Sequence, residues 1–323
     1  MMENRVTLKG IGKVTVKIIV ALFLLLVTCV VVSTAVHQIL KAIERGRYPA
    51  PGELVTVDGK KMHVYSAGSG SKTIVLLSGY GTGSPVIDFA PLIKELSKTY
   101  KVVVAENFGY GWSDVTGTPR TAGNIVNETR TALLEAGIKP PYILMPHSIG
   151  GIYSLYYANT YPEEVEGIVG IDTSVPAQIK VISNVKKMSG LAALEEITGF
   201  IRIRTKINPS GVIKEPDADA YTKDEIKLMR LMNTSLINEA NQIYANFEAV
   251  QNMKYPKSMP VLNFLSKETT DGFSALGMDW VFMHEQIVTE SKSSRSVVLE
   301  GGHYLHRTCS KEMAEEVKDF LGE

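Results

Sequence analysis

Leu144-Met145-Pro146-His147-Ser148-Ile149-Gly150-Gly151, LMPHSIGG, is the stretch whose reading decides the fold. Residues 141–147 (PYILMPH) form a short apolar run, the pattern of a buried strand, and helical spacing opens at Ile149. A strand that turns sharply into a helix pushes one side chain out above the sheet and aims the helix N-terminus at it. Such a turn demands small neighbours, because the backbone approaches its surroundings closely there. Gly150 and Gly151 meet that demand on the helix side. Pro146 stands where a Gly-x-Ser-x-Gly pattern has its first glycine. It is compact, and at a strand end its missing N–H costs little. On this reading Ser148 is a nucleophile; the plainer alternative is a serine that caps a helix.

Working outward, the segments alternate in type. ELVTVDGKKMHVYSAG reads as two strands around a turn at Asp58-Gly59. TIVLLSG (73–79), KVVVAEN (101–107), PYILMPH and VEGIVGID (165–172) are buried strands. DFAPLIKELSK (88–98) and TAGNIVNETRTALLEAG (121–137) have helical spacing. The pattern resumes with PVLNFLS (260–266), a helix near 280–290, SVVLEGG and a final helix from Lys311. Buried strands alternating with helices predict an α/β fold, a mainly parallel central sheet with helices on both faces.

Between residues 173 and about 255 the strands stop. Helical stripes replace them: Leu191, Leu194, Ile197 and Ile201, then Met229, Met232, Leu236, Ala240, Ile243 and Phe247. An insertion that leaves and re-enters at the sheet edge where sites form is expected to be a helical cap over the strand ends. The other reading is a helical domain with no part in the chemistry.

The N-terminus departs from the average composition. Residues 18–36 (IIVALFLLLVTCVVVSTAV) carry no charge and suffice to cross a bilayer as one helix. Arg5, Lys9, Lys13 and Lys17 precede this run, and Lys41, Arg45 and Arg47 follow it. That bias favours residues 1–17 on the cytoplasmic side and the remainder outside. Ser33 and Ala35 would suit a cleaved signal, but the apolar run is longer than a signal core, so a retained single-pass anchor in the cell membrane is preferred. Residues 37–53 then read as a linker, and 54–323 as the α/β domain with its cap. The whole chain of 323 residues is 45% apolar and 21% charged, with acids and bases balanced, which excludes a nucleic-acid-binding field. Cys29 and Cys309 are too few and too far apart for a disulfide framework. The oligomeric state is not legible.

A serine nucleophile needs a base. Of the six histidines, His37 adjoins the apolar run, His63 sits in an early strand and His284 in a helical pattern. His147 points elsewhere from so tight a turn. His303 follows a buried strand and two glycines (VVLEGGHYLH), which puts it on a loop above the same sheet edge as Ser148. His306 is the second choice. An oxyanion hole would take the Ile149 N–H at the helix start and the Tyr80 N–H from the loop LLSGYGTGSP. That loop also offers a dinucleotide-binding reading, through Gly79, Gly81 and Gly83 with Glu106 ending the next strand. The third glycine comes one residue early and Ser84-Pro85 stands where a helix should open, so this oxidoreductase alternative ranks below the serine constellation.

Four pieces in order, LLSGYG, NFGYGWSD (107–114), PHSIGG and GGHYLH, are similar to the α/β-hydrolase fold superfamily in its cap-bearing, single-domain branch. The resemblance spans residues 55 to 321. It implies a carboxylesterase- or lipase-like serine hydrolase working through a Ser-His-acid triad and an acyl-enzyme. Two positions depart from the pattern: Ser78-Gly79 stands for His-Gly, and Pro146 for the elbow glycine. The family places its acid after the strand that follows the cap, where this chain has FLSKETTDG with Thr269 at the expected aspartate. Glu268 is therefore taken first, Asp172 (the alternative position before the cap) next, and Asp271 third.

No cofactor or metal is implied. His303, His306 and Cys309 lie within one turn without a distant partner, which makes a poor zinc site. The expected partners are a small acyl or ester substrate and, through the anchor, the lipid bilayer. Met229, Met232, Leu236, Phe247 and Met253 would form a soft apolar roof for such a substrate. Asn127 and Asn233 begin glycosylation sequons. A scaffold that has lost its chemistry is the rival from another class.

Overall fold

The structure, a computed structural model, describes residues 8–47, 49–182, 194–195, 197–207, 233–257, 259–288 and 293–322. Leu191, Met229 and Met232 lie outside the described residues. The chain divides into two compact units, Met1–Pro49 with Gly190–Ile213, and Ala50–Ser189 with Lys214–Glu323.

The larger unit contains one eight-stranded sheet. Its strands are β1 (Glu53–Val57), β2 (Lys60–Ala67), β3 (Thr73–Leu77), β4 (Lys101–Glu106), β5 (Tyr142–Pro146), β6 (Val165–Ile171), β7 (Val261–Ser266) and β8 (Arg295–Leu299). They lie in the order β1-β2-β4-β3-β5-β6-β7-β8. The β1–β2 and β2–β4 pairs are antiparallel, and every later pair is parallel. The predicted Asp58-Gly59 turn joins β1 to β2, with φ 48° and 75°, a left-handed pair whose twist matches a hairpin.

Helices in chain order are α1 (Leu8–Arg47), α2 (Pro85–Asp88), α3 (Ala90–Leu96), α4 (Ala122–Glu135), α5 (Gly150–Thr160), α6 (Ile179–Ile182), α7 (Phe200–Ile207), α8 (Thr234–Val250), α9 (Lys267–Ala275), α10 (Trp280–Glu285), α11 (Leu305–Thr308) and α12 (Ser310–Leu321). α1 and α7 belong to the smaller unit and the rest to the larger. The single helix expected over 88–98 is two, because Pro85 opens one early with Ser84 capping it.

Period-two alternation along the strands splits the core into two layers. Val75, Val103, Leu144 and Ile168 face α4 and α5, with Ile125, Leu133 and Ile152 among the buried partners. Ile74, Leu76, Val102, Ile143 and Met145 face the opposite way, onto Leu92 and Leu96 of α3 and Val317 of α12. Each such side chain removed from water contributes about 1.5–3 kcal/mol before the entropy of ordering is set against it. α4 is further tied down by Arg120, fully buried, whose Nη1 donates to both Glu128 carboxylate oxygens at 2.9 and 2.6 Å.

The smaller unit is the apolar helix α1 with the described residues of 190–213. Residues 37–47, expected to begin a linker, continue the helix to Arg47, and its stretch Lys13–Ile43 is long and apolar enough to cross a membrane. HQILKAIERGR has helix-forming side chains and no proline, so nothing stops propagation past the charge-free run. In the insertion after β6 every described element is helical, and α8 returns the chain to the sheet. Asn233 caps α8, its Oδ1 accepting from Ser235 N–H and Leu236 N–H while its Nδ2 donates to the Gly109 carbonyl. A buried amide so engaged is closed to glycosylation in the folded protein, unlike exposed Asn127.

Candidate active site

The site is assembled where β3, β5, β6, β7 and β8 end. β5 stops at Pro146 and α5 starts at Gly150, so Ser148 stands on the turn between them with φ 53°. A non-glycine residue in the left-handed region is strained, and the strain is held by neighbours. His147 N–H donates to the Leu77 carbonyl at 2.8 Å, Ser148 N–H to the Ile171 carbonyl at 3.3 Å, and Ser174 N–H to the Ser148 carbonyl at 2.7 Å. The turn is thus pinned to the ends of β3 and β6. Space is the other constraint. A Cβ at Gly151 would fall 2.5 Å from the Ser174 oxygen, and one at Gly79 would fall 2.9 Å from Ser148 Cβ. Pro146, the departure from the elbow pattern, ends β5 opposite Leu77, where a missing N–H breaks no rung of the ladder beyond it.

His303 follows β8 on its loop, half-buried, and its Nδ1 lies 2.7 Å from Asp172 Oδ2. Of the three carboxylates expected from the sequence, Asp172 is the one brought to His303. Glu268, the first choice from the sequence, is differently placed. Ser266 accepts from Thr269 N–H and starts α9 at Lys267, which leaves Glu268 exposed beside Gly302. Asp271 is 62% exposed and paired with Lys267 on the surface. Asp172 directly follows β6, also at positive φ (42°), and is fully buried.

Three further donors converge on Asp172. Thr269 Oγ1 donates to Oδ2 at 2.6 Å, Trp280 Nε1 to Oδ1 at 3.0 Å, and Ser266 N–H to Oδ1 at 3.1 Å. Burial by itself raises the carboxyl pKa. The hydrogen bonds from His303 and Thr269 outweigh it and hold Asp172 below the usual carboxylate range. The residue at the family's acid position therefore acts as a hydrogen-bond donor to the acid one strand away. Neither Thr269 nor Trp280 could be assigned that role from sequence, since the contacts span 97 and 108 residues.

His147, set aside as the base in the sequence, packs against His303. Its Nε2 lies 3.0 Å from the His303 carbonyl oxygen, and the two rings pack at 4.6 Å. Burial, then the neighbouring His306 and His303, push its pKa well down, so the ring is neutral and donates from Nε2 to that carbonyl. Among the described residues the Ser148 hydroxyl holds no hydrogen bond, and the Ile149 N–H at the start of α5 has no acceptor.

The loop carrying Tyr80 is fastened to the insertion. Tyr110 Oη accepts from Gly81 N–H at 3.3 Å and donates to Glu239 of α8 at 2.7 Å; Tyr153 donates to the other Glu239 oxygen at 2.8 Å. Glu239 is fully buried, and burial raises its pKa despite the two tyrosines and Arg120.

His306, the second choice as base, is turned inward onto Asp88 at 2.8 Å, and Arg307 pairs with the same carboxylate. Asp88, His147 and His306 could offer ligand atoms within 4.8 Å of one another. Arg307 already supplies Asp88 with a full positive charge, so this donor set is a closed ion-pair cluster that fits a metal poorly. The dinucleotide alternative fails on Glu106. That carboxylate is fully buried, bound to His63, Ser84 and the N–H of Trp112, with nothing left for a ribose. Of the proposed apolar roof, Leu236 and Phe247 are buried side chains, and Met253 lines a groove with Pro176, Ile179 and Met283.

A family model for the alpha/beta hydrolase fold matches residues 72–192. The Bacillus subtilis (strain 168) uncharacterized protein YbdG is 37% identical over 224 residues, 65% of this chain and 67% of that protein. The pimeloyl-[acyl-carrier protein] methyl ester esterase of Xanthomonas oryzae pv. oryzae is 32% identical over 110 residues, 34% of this chain and 40% of that one. The chain thus spans two thirds of the first relative's length and less than half of the second's. Among solved structures, an epoxide hydrolase from Vigna radiata superposes with a TM-score of 0.60 at 19% identity, covering 84% of this chain and 97% of its own. That likeness is one of fold.

Proposed function

This chain belongs to the α/β-hydrolase fold family, and from that premise we propose that it is a serine hydrolase cleaving an ester-like acyl substrate through Ser148, His303 and Asp172. The observation that carries the reading is the 2.7 Å pair of His303 Nδ1 with buried, ionised Asp172, at the sheet edge where Ser148 stands on a strained turn. Similarity to an ester-cleaving relative agrees with it. A serine at the elbow suits acyl transfer, in which an alkoxide-forming hydroxyl adds to a carbonyl.

The chemistry follows from the atoms. Asp172 fixes His303 with its proton on Nδ1, leaving Nε2 as the base. As Ser148 Oγ adds to the substrate carbonyl, its proton passes to His303 Nε2, and Asp172 stabilises the imidazolium. The oxyanion is met by the N–H groups of Ile149 and Tyr80. The tetrahedral intermediate collapses, the C–O bond to the leaving alcohol breaks, and His303 returns the proton to that oxygen. Water then adds to the acyl-enzyme with the same proton shuttle, releasing the acid and restoring Ser148. The helix Lys13–Ile43, long and apolar enough to cross a bilayer, supports a single-pass membrane protein, and the flanking charges favour residues 1–17 on the cytoplasmic side.

The test is covalent labelling with a fluorophosphonate. Ser148→Ala should abolish labelling and lower hydrolysis of short acyl esters by roughly 10^4-fold or more, with the thermal transition intact. Labelling of folded wild type that does not depend on Ser148, or none at all, returns the chain to a binding or scaffold role.

A further inference from the structure

Within the smaller unit, α7 is oriented the wrong way round for water. A surface helix normally turns its apolar stripe inward and its polar face to solvent. Here the polar side meets α1. Arg202 Nε donates to His37 Nδ1 at 2.8 Å, and just before the helix the Thr198 carbonyl accepts from Ser33 Oγ at 2.6 Å. Gly199, at φ 75°, permits the approach, since a Cβ there would come 2.6 Å from His37 Cβ. The stripe Phe200, Ile203 and Ile207, at i, i+3 and i+7, points away from α1 and is 37%, 51% and 79% exposed. Leu194 and Ile197, just upstream, are 53% and 49% exposed.

The position along α1 says what covers that stripe. Ser33 and His37 sit where the charge-free run 18–36 ends, and Lys41 follows. In a bilayer this is the level at which acyl chains give way to headgroups, the depth favoured by amphipathic helices rich in Arg and Lys. α7 carries Arg202 and Arg204, and Arg204 is 62% exposed, with Glu195 3.3 Å away. An apolar stripe in acyl chains beside cations at the phosphate level satisfies both halves of the helix, which water cannot.

We propose that α7 is a second membrane-contacting element: it lies in the headgroup–acyl boundary against the end of α1, with Phe200, Ile203 and Ile207 in the lipid. This rests on reading Lys13–Ile43 as a bilayer span. It makes part of the insertion between β6 and β7 a lipid-bound segment rather than a free lid.

The test uses the full chain with Cys29→Ser and Cys309→Ser, reconstituted into vesicles of phosphatidylcholine and phosphatidylglycerol. Single cysteines at Ile203→Cys or Ile207→Cys carry an environment-sensitive nitrobenzoxadiazole probe. Leu24→Cys, within α1, and Lys60→Cys, at the β1–β2 turn, are the controls. The expected result is blue-shifted emission at 203 and 207, loss of fluorescence to nitroxide lipids labelled near the headgroup, and protection from aqueous iodide. Lys60→Cys should behave oppositely. If the 203 and 207 probes match Lys60→Cys while Leu24→Cys is quenched by deep nitroxides, the inference is overturned and the anchor stands. If Leu24→Cys is also open to iodide, the anchor reading falls and takes the inference with it.

Discussion

At Asp172 the carboxylate is buried, fixed by Thr269, Trp280 and the Ser266 N–H, and aimed at His303. Replacing it by asparagine keeps the shape but offers His303 an amide that can stabilise the wrong tautomer. Asp172→Asn is expected to lower kcat by about 10^4-fold with KM little changed. Glu268→Gln, on the exposed first turn of α9, should leave kcat within about threefold, as a surface change away from the reacting atoms does. Steady-state kinetics on the two variants checks the assignment, and the opposite pattern would restore Glu268. The sequence offered three carboxylates and ranked Glu268 above Asp172 and Asp271. Distance in the chain carries no information about which side chain a sheet register will bring to His303.

At the level of elements, the strand–turn–helix from β5 to α5 was legible because its requirements are local: an apolar run, a serine, two glycines. The tie between α8 and the Gly79–Gly83 loop was not. It runs through Tyr110, which accepts from Gly81 N–H and donates to Glu239. Tyr110→Phe deletes both bonds without creating a cavity. In the proposed mechanism the loop bearing the Tyr80 N–H then loses its fixed distance from the oxyanion. The expected result is a fall in kcat of roughly 10- to 100-fold with KM nearly unchanged, because small misplacements of a stabilising group are costly. A variant whose KM rises while kcat holds would instead place Tyr110 in ground-state binding. α9 is the counterexample to local reading: FLSKETTDG was read for its acid alone, yet the Ser266 cap begins a helix there, on whose first turn Glu268 is exposed.

For the molecule as a whole, acid stability should depend on Asp88. Burial pushes its pKa up, but His306 and Arg307 overcome this and hold it well below the ordinary value. A carboxyl depressed in the folded state contributes stability that is complete above its unfolded pKa of about 3.9, and that is lost as pH falls through the folded value. Asp172 contributes with the same sign. Asp88→Asn leaves Arg307 and His306 facing each other without an anion. At neutral pH it should cost about 3–5 kcal/mol, as removal of one partner from a buried pair does. The gap in Tm between variant and wild type should narrow as the buffer is taken below that unfolded pKa. A gap independent of pH would show that the loss comes from packing and not from charge.

By itself the sequence determined the α/β class, the elbow at Ser148, the loop histidine His303 and the apolar N-terminal helix. Each is written in neighbouring residues, through hydrophobic period, glycine placement or uninterrupted length. Only the tertiary structure decided which carboxylate meets His303, that Thr269 donates to it, that Glu106 is sealed in the core, and that α7 turns its polar side to α1. These depend on contacts between segments far apart in the chain, and on small backbone events such as a helix cap at Ser266 or a left-handed residue at Asp172. A one-residue change in where a helix begins redirects every side chain after it, and composition and spacing do not record that.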